Sequence, residues 1–101
     1  MLYISNWEYD LADAKKVIEF SMKFTELQKK EPEKFAKVIA GPYVLGGCGK
    51  GFTIVEADNA DQLGRMCAYW TQVPSMRMHS VPIFEASRQI QLKLEGDEAF
   101  K

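Results

Sequence analysis

The spacing of hydrophobic residues changes several times along the chain, and each change marks a predicted element. Residues Leu2 to Glu8 are rich in Tyr, Ile and Trp and predict a β-strand, which ends before Asp10, a residue typical of helix N-caps. From Leu11 to Lys30 the charged residues fall on one arc at about 100° per residue and apolar residues occupy the rest, which predicts a helix. Because the apolar arc exceeds half of the circumference, we expect this helix to contact a second surface besides the sheet: a neighbouring helix, the C-terminal tail or a partner chain.

A strand interrupted by proline follows this helix. Pro32 suits the first turn of a short helix from Glu31 to about Lys37, and the next apolar run, Val38 to Leu45, contains Gly41-Pro42. Since proline has no amide hydrogen to donate within a central strand, Pro42 places this second strand at the margin of the sheet or at a bulge.

The glycine cluster Gly46-Gly47-Cys48-Gly49-Lys50-Gly51 has two interpretations. Glycine loops bind phosphate through backbone amides, but the G-x-x-x-x-G-K-[ST] spacing fails here, because Val44 occupies the first glycine position and Gly51 the hydroxyl position. Glycines also supply the positive φ angles of hairpin turns. We therefore predict a hairpin that joins the second strand to a third, Phe52 to Ala57, and functional residues that lie away from these glycines.

A second helix and a fourth strand complete the pattern. Asp58 or Asn59 caps a helix from Ala60 to about Gln72, which Pro74 terminates, and Met76 to Phe84 predicts a strand. The helix carries an apolar stripe typical of a buried face, formed by Leu63, Met66, Cys67 and Trp70.

The resulting order, β-α-β-β-α-β, predicts an α+β fold. We expect a ferredoxin-like antiparallel four-stranded sheet, with the first and third strands central and both helices on one face. This domain spans residues 1–84. The C-terminal extension, residues 85–101, has both strand and helix periodicity, and we favour a helix whose end frays after Gly96.

One face of this sheet lacks helices. If Leu2, Ile4, Phe52 and Ile54 face the helices, the opposite face carries a set that is too apolar for water, comprising Tyr3, Ser5, Trp7, Thr53, Val55, Ala57, Arg77, His79 and Val81. A contiguous apolar patch usually marks an interface, so we expect two sheets to pack face to face in a homodimer.

Length and charge exclude several classes of protein. The chain has 101 residues, enough for one small core, with 47% hydrophobic and 27% charged residues. Its 13 basic and 14 acidic side chains give a net charge of −1, which argues against a nucleic-acid partner. No apolar run approaches the ~20 residues of a membrane span, and the N-terminal segment lacks a basic signal region, so we expect no membrane partner and a cytoplasmic location.

The sulfur-containing residues leave two alternatives open. Cys48 and Cys67 lack a C-x-x-C spacing and are expected to be reduced. Cys48 is either an exposed thiol activated by Lys50 or an incidental residue of the turn. Four methionines either fill gaps in the core or line an adaptable pocket: Met22, Met66, Met76 and Met78.

Over residues 1–84 the chain resembles the dimeric α+β-barrel group. The resemblance rests on the element order, on the Trp7-Glu8 end of the first strand, and on the block GKGFTIVEADNA from Gly49 to Ala60. That block is similar to a family of small bacterial and archaeal domains of uncharacterised function. The resemblance implies ferredoxin-like domains that pair through their sheets. The broader group includes monooxygenases of polyketides or haem, chlorite-processing enzymes, lactone isomerases and dehydratases. Because its members catalyse such different reactions, the resemblance implies a dimer more firmly than it implies any one reaction.

Haem-degrading monooxygenases of this group provide a closer comparison. They carry an Asn on the first strand, a Trp on the second helix and a His shortly after it, which Asn6, Trp70 and His79 match by type. The histidine of that family is helical, whereas Pro74 and the run Val81 to Phe84 predict a strand at His79, so its ring points elsewhere. Haem is therefore the less favoured interpretation. A single histidine without acidic or thiol partners at ligand spacing predicts no metal site.

His79 is the only histidine and therefore the side chain best suited to acid–base chemistry near neutral pH. It is either a general base, with Asn6 as the second catalytic candidate, or a hydrogen-bonded residue of the dimer interface. The candidate ligand-binding residues are Trp7, Tyr43, Trp70 and Arg77. Three of them are aromatic, and aromatic residues are also common in a hydrophobic core that binds no ligand.

Two functional hypotheses follow from these residues. The sequence favours a homodimer that binds a small apolar or aromatic molecule, because no paired acid and base or activated nucleophile is visible. The alternative is a cofactor-free or haem-dependent enzyme, similar to a monooxygenase or isomerase, that uses His79 as its base in a pocket between the sheet and the helices. The effect of His79→Ala on ligand binding and turnover separates the two.

Overall fold

The first strand forms with the bounds that its composition predicts, Leu2–Glu8, and we name it β1. In this computed structural model a single 3₁₀ turn, Leu11–Asp13, leads from β1 into helix α1, Ala14–Lys30. The remaining elements are strand β2, Lys37–Val44, strand β3, Lys50–Glu56, helix α2, Ala60–Trp70, and strand β4, Arg77–Pro82. The structure describes residues 1–47 and 49–84 and, in the tail, Ala86, Gln91, Lys93, Glu95 and Gly96. Cys48 and most of the tail, for which a helix is predicted, lie outside the described residues.

The four strands form one antiparallel sheet in the order β2-β3-β1-β4. This order confirms the predicted α+β, ferredoxin-like topology, with β1 and β3 in the centre. Strand β2 lies at the edge, as Pro42 predicts, and its pairing with β3 is irregular between Val38 and Ala40 and again between Ala40 and Tyr43. The glycine cluster forms the predicted hairpin turn between β2 and β3, where Gly46, Gly47 and Gly49 have positive φ angles.

The short helix predicted from Glu31 to about Lys37 does not form, and residues 32–34 form a turn. Helix α1 ends at Lys30 because a residue before proline is forced out of the helical region, and Glu31 has φ −134° and ψ 63°. The Glu31 carboxylate accepts a hydrogen bond from Nζ of Lys34 at 2.8 Å, and this bond lowers the pKa of Glu31.

Helix α2 is capped as the sequence predicts. The Asn59 side chain accepts a hydrogen bond from the Gln62 amide at 2.9 Å. The buried side chain of Gln62 accepts a bond from the amide of Asp58 at 2.7 Å and donates one to the carbonyl of Glu33 at 3.0 Å. Gln62 therefore ties the start of α2 to the turn that follows α1.

The core shows that the expected strand phase is wrong for β1 and β3. Val55 is 0% exposed and Ser5 is 1% exposed, and both lie on the face that the helices cover. Residues opposite each other in antiparallel strands share a face, so Leu2, Ile4, Phe52 and Ile54 lie on the other face, which we call the open face. The hydroxyl of buried Ser5 forms a 2.7 Å hydrogen bond with that of Ser80, so the inverted phase leaves no polar side chain unsatisfied there. The core consists of Phe24, Ala36, Val55, Ala57 and Met66, with Tyr3, Val38 and Met78 packed against it.

Helix α1 contacts both the sheet and a neighbouring helix, which is one of the second surfaces its wide apolar arc predicts. The rings of Phe20 and Phe24 pack against Tyr69 of α2 at centroid distances of 5.5 and 5.2 Å. Part of the arc still faces outward, because Ile18 is 62% exposed and Met22 is 68% exposed. Within the described part of the chain, the helices are too short or too polar to cross a membrane.

Candidate functional site

A cavity of about 440 Å³ lies between α1, α2 and the covered face of the sheet. Every strand and both helices contribute to its wall, which also includes Tyr9 just after β1 and Met76 just before β4. The residues that line it are Ser5, Trp7, Tyr9, Val17, Ser21, Phe24, Thr25, Gln28, Val38, Gly41, Pro42, Val44, Thr53, Val55, Met66, Trp70, Met76 and Met78. Pro42, Val44 and Thr25 are exposed, so the cavity opens between the edge strand β2 and helix α1.

Trp7 is held in the cavity wall by three neighbours. Its indole Nε1 donates a hydrogen bond to Oγ1 of Thr53 at 3.1 Å, and its ring stacks on Tyr9 with an interplanar angle of 20° and a centroid distance of 5.9 Å. Gly51 lies directly under the indole, since a Cβ atom there would be 2.6 Å from Cζ2 and Cη2 of Trp7. Gly51 therefore leaves the space that the Trp7 indole occupies, and Gly41, outside the glycine cluster, lines the cavity itself.

An aromatic cluster closes the cavity between the two helices. Phe24 is 6% exposed and lies 6.1 Å from Trp70 and 5.5 Å from Phe35, measured between ring centroids. The Tyr69 hydroxyl donates a hydrogen bond to the backbone carbonyl of Phe20 at 2.7 Å, and burial raises the pKa of Tyr69. These contacts hold α1 and α2 at a fixed separation above the sheet.

Other polar groups of the wall are partly engaged with the protein itself. The Thr25 hydroxyl donates to the backbone carbonyl of Ser21 at 3.1 Å, and the Gln28 amide donates to the carbonyl of Ala36. Among the described residues, the side chains of Thr53 and Ser21 make no hydrogen bond that uses their hydroxyl hydrogens. These two hydroxyls can therefore donate to a molecule in the cavity.

The open face carries the catalytic candidates that the sequence suggests. Asn6 and His79 are directly opposite each other on β1 and β4, and Asn6 is also opposite Phe52 on β3. Tyr43 is opposite Phe52 on β2, with 5.3 Å between their ring centroids. One row of side chains thus crosses the whole sheet in the order Tyr43, Phe52, Asn6, His79, and both Asn6 and His79 are exposed.

The candidate site residues therefore separate into two groups within one chain. Trp7 and Trp70 line the cavity, whereas Asn6, Tyr43, His79 and Arg77 lie on the open face. Arg77 forms an exposed 2.8 Å ion pair with Glu8, the residue opposite it on β1. The set that matches haem-degrading enzymes by type is not assembled, because Trp70 lies on the covered side of the sheet and Asn6 and His79 on the other side.

Several cavity residues carry no clear signal in the sequence. Ser5 and Thr53 are small polar residues within apolar strands, and their place in the wall depends on the strand phase. Met66, Met76 and Met78 line the cavity, as one of the two interpretations of the methionines requires, whereas Met22 is exposed. Within the described residues, no group of three or more His, Cys, Asp or Glu side chains is placed to hold a metal ion.

Comparison with known proteins assigns the chain to a family. A family model described as a domain of unknown function (DUF3303) matches residues 1–95. Neither the curated proteins nor the solved structures include a match to the chain.

Proposed function

Because the chain belongs to the DUF3303 family of domains of unknown function, we propose its function from its own geometry: a homodimer in which each subunit binds a small apolar or aromatic molecule. The cavity between the helices and the sheet is the observation that carries this proposal. Its volume of about 440 Å³ lies within the range of about 300–1,000 Å³ that is typical of small-molecule pockets.

The composition of the wall supports binding of an apolar or aromatic molecule. Trp7, Tyr9, Phe24 and Trp70 offer ring surfaces, and three methionines offer flexible thioethers that adapt to irregular shapes. Because the Trp7–Thr53 and Ser5–Ser80 hydrogen bonds fix the polar groups of the sheet, the pocket is formed before a ligand enters.

The position of His79 favours binding over acid–base catalysis inside the cavity. A general base must reach the proton that it removes, and His79 projects from the opposite face of the sheet. Among the described residues that line the cavity, none is Asp, Glu, Lys, Arg or His. Asn6 and His79 are better placed as polar residues of a subunit interface.

The open face supports a second copy of the chain as its partner. Two adjacent rows cross the sheet on this face. One row is apolar and consists of Ala40, Ile54, Ile4 and Val81, and the row beside it combines two aromatic and two polar residues, Tyr43, Phe52, Asn6 and His79. A row that contains Lys37 and Glu56 borders one side, and a row of Lys50, Glu8 and Arg77 borders the other. An apolar centre with a charged rim is usual for a protein–protein interface. Because this rim carries both positive and negative side chains, two identical copies can pack together without like charges opposing each other along the whole rim.

We expect naphthalene to stabilise the protein, and this stabilisation to depend on the cavity rather than on His79. At ten times its Kd, a ligand that binds the folded state raises the free energy of unfolding by about 1.4 kcal/mol, which corresponds to a Tm increase of about 5–10 °C. Val17→Trp fills the cavity from α1 and abolishes the increase, whereas His79→Ala retains it. Differential scanning fluorimetry measures the Tm of the wild type and of both variants with and without naphthalene.

The matched control for this experiment is the neighbouring residue on α1. Ile18 is 62% exposed and points away from the cavity, so Ile18→Trp retains the ligand-induced increase in Tm. Loss of the increase in His79→Ala but not in Val17→Trp would favour the alternative enzyme hypothesis and refute the cavity as the site.

We expect Ile54→Lys to convert the dimer into monomers. Ile54 lies within the open face, so a lysine at this position would have to lose its hydration when two sheets pack together. The nearest carboxylate on this face of β3, that of Glu56, already pairs with the N-terminal ammonium group. Sedimentation velocity of the wild type and the variant, at the same concentration, measures the change in mass. Ile18→Lys on the outer face of α1 introduces the same charge and retains the dimer. A monomeric wild-type protein would contradict the proposed assembly.

A further inference from the structure

The cavity wall also restricts the chemistry of its ligand. We infer that the cavity selects an uncharged aromatic molecule that carries a carbonyl-type oxygen, and that this oxygen accepts a hydrogen bond from the Thr53 hydroxyl. The inference rests on the proposed function, because it specifies which molecules the cavity binds.

The absence of charged side chains from the described wall favours a ligand without net charge. A carboxylate or ammonium group loses its hydration when it enters a pocket of this kind, and the loss is recovered only through a partner of opposite charge. Glu8 and Arg77, which adjoin the wall residues Trp7 and Met78 in the chain, lie on the open face of the sheet and pair with each other there. A charged ligand therefore finds no partner inside the cavity.

The hydrogen bonds of Thr53 favour an acceptor on the ligand. Oγ1 of Thr53 accepts the indole N–H of Trp7, so one of its lone pairs is occupied and its own hydrogen is left to donate. A hydroxyl that accepts one hydrogen bond becomes a better donor, because chains of hydrogen bonds polarise one another. Ser5, the residue opposite Thr53 on β1, is 1% exposed and its hydroxyl is engaged with that of Ser80. The hydroxyl of Thr53, a residue that is only partly buried, is therefore the more accessible of the two.

The arrangement of rings around Thr53 favours a flat ligand. Trp7 contacts this hydroxyl and stacks nearly parallel to Tyr9, and Trp70 and Phe24 lie on the helix side of the cavity. A planar ring system placed between them contacts π faces and thioethers while its oxygen reaches Thr53. On the opposite wall the Ser21 hydroxyl provides a second donor for a second oxygen.

The test compares two probes of similar shape in two proteins. The probes are 2-acetylnaphthalene, which carries the carbonyl, and 2-isopropylnaphthalene, which does not, and their Kd values are measured by equilibrium dialysis. Thr53→Val removes the hydroxyl with little change of shape. We expect the Kd of the ketone to rise about fivefold in Thr53→Val, the effect of one lost hydrogen bond, and the Kd of the hydrocarbon to change less than twofold.

Thr25→Val is the matched control, because Thr25 lines the same cavity but donates its hydroxyl hydrogen to its own helix. We expect less than a twofold change for either probe in this variant. A third probe, the anion 2-naphthoate, is expected to bind the wild type at least tenfold more weakly than the ketone. Equal changes for ketone and hydrocarbon in Thr53→Val, or tighter binding of naphthoate, would overturn the inference and leave the cavity as a binding site. Failure of both neutral probes to bind would overturn the proposed function as well.

A spectroscopic measurement keeps the inference testable if Thr53→Val does not fold. Infrared difference spectra of carbonyl-labelled 2-acetylnaphthalene bound to the wild type report directly on the hydrogen bond. We expect the C=O stretch at a lower wavenumber than in cyclohexane. A stretch equal to the cyclohexane value would refute donation from Thr53.

Discussion

Replacing Gly51 with alanine is expected to lower the free energy of unfolding by about 3 kcal/mol, near the upper end of the usual cost of overpacking. The added Cβ would overlap the backbone carbonyl oxygen of Tyr43 and would lie 2.6 Å from two ring carbons of Trp7. The edge strand cannot move away without losing its hydrogen bonds to β3, and Trp7 cannot move without breaking its bond to Thr53. Urea denaturation followed by tryptophan fluorescence measures the change.

Gly64→Ala is the matched control for this substitution. Gly64 lies in α2, is exposed, and has no atom within 4 Å of the position of an added Cβ. Alanine is preferred over glycine inside helices, so this variant is expected to raise the free energy of unfolding by about 0.5–1 kcal/mol. The same substitution, glycine to alanine, is thus expected to lower the free energy of unfolding at position 51 and to raise it at position 64. A neutral effect of Gly51→Ala would mean that the Trp7 indole does not lie over Gly51.

Truncating Phe24 is expected to cost about 3–5 kcal/mol, as is typical of a buried phenylalanine replaced by alanine. Its side chain is 6% exposed, and its ring contacts Phe35, Tyr69 and Trp70 at centroid distances between 5.2 and 6.1 Å. Loss of the ring removes two of the contacts between α1 and α2, those with Tyr69 and Trp70, and enlarges the cavity beside it. Calorimetric unfolding of Phe24→Ala measures the loss of stability.

An exposed phenylalanine provides the comparison for Phe24. Phe84 is 62% exposed, and Phe84→Ala is expected to change the free energy of unfolding by about 0.5 kcal/mol or less. Similar losses in the two variants would show that the aromatic cluster is not the centre of the core. A loss confined to Phe24→Ala supports the cluster as the packing that holds α1 against α2.

The topology could be predicted because local signals determine it. Pro42 cannot donate to a neighbouring strand, so it identifies the edge strand without any knowledge of the partner. The glycines between β2 and β3 provide the positive φ angles of a hairpin turn, and Asn59 caps α2 through its own side chain. Each of these signals depends on residues that are close together in the chain, so it can be recognised from the sequence alone.

The face that each strand turns toward the helices could not be predicted in the same way. Alternation divides β1 into two sets, and both contain large apolar residues: Tyr3 and Trp7 in one, Leu2 and Ile4 in the other. The choice depends on distant contacts, because only a glycine at position 51 leaves room for Trp7 on the covered face. An error of one residue in phase moves every side chain of a strand to the other face. The predicted phase therefore puts Trp7 and Thr53 on the face without helices, whereas both line the cavity.

The distance between the two catalytic candidates depends on strand register as well. Asn6 and His79 are 73 residues apart in the chain and become neighbours only through the pairing of β1 with β4. Nothing local to either residue indicates this contact. The chemistry of the two side chains makes them candidates, but strand pairing places them on one surface with Tyr43 and not with Trp70.

Three of the five methionines in the chain lie in the wall of one cavity. Their terminal methyl groups give sharp, well-separated NMR signals when the protein is labelled with ¹³C at that position, and each signal is sensitive to the ring currents of nearby aromatic residues. Met66, Met76 and Met78 therefore act as built-in reporters of occupancy, and exposed Met22 serves as an internal reference in the same spectrum. A mixture of cellular metabolites can be searched for the natural ligand by watching these three resonances move while that of Met22 stays fixed.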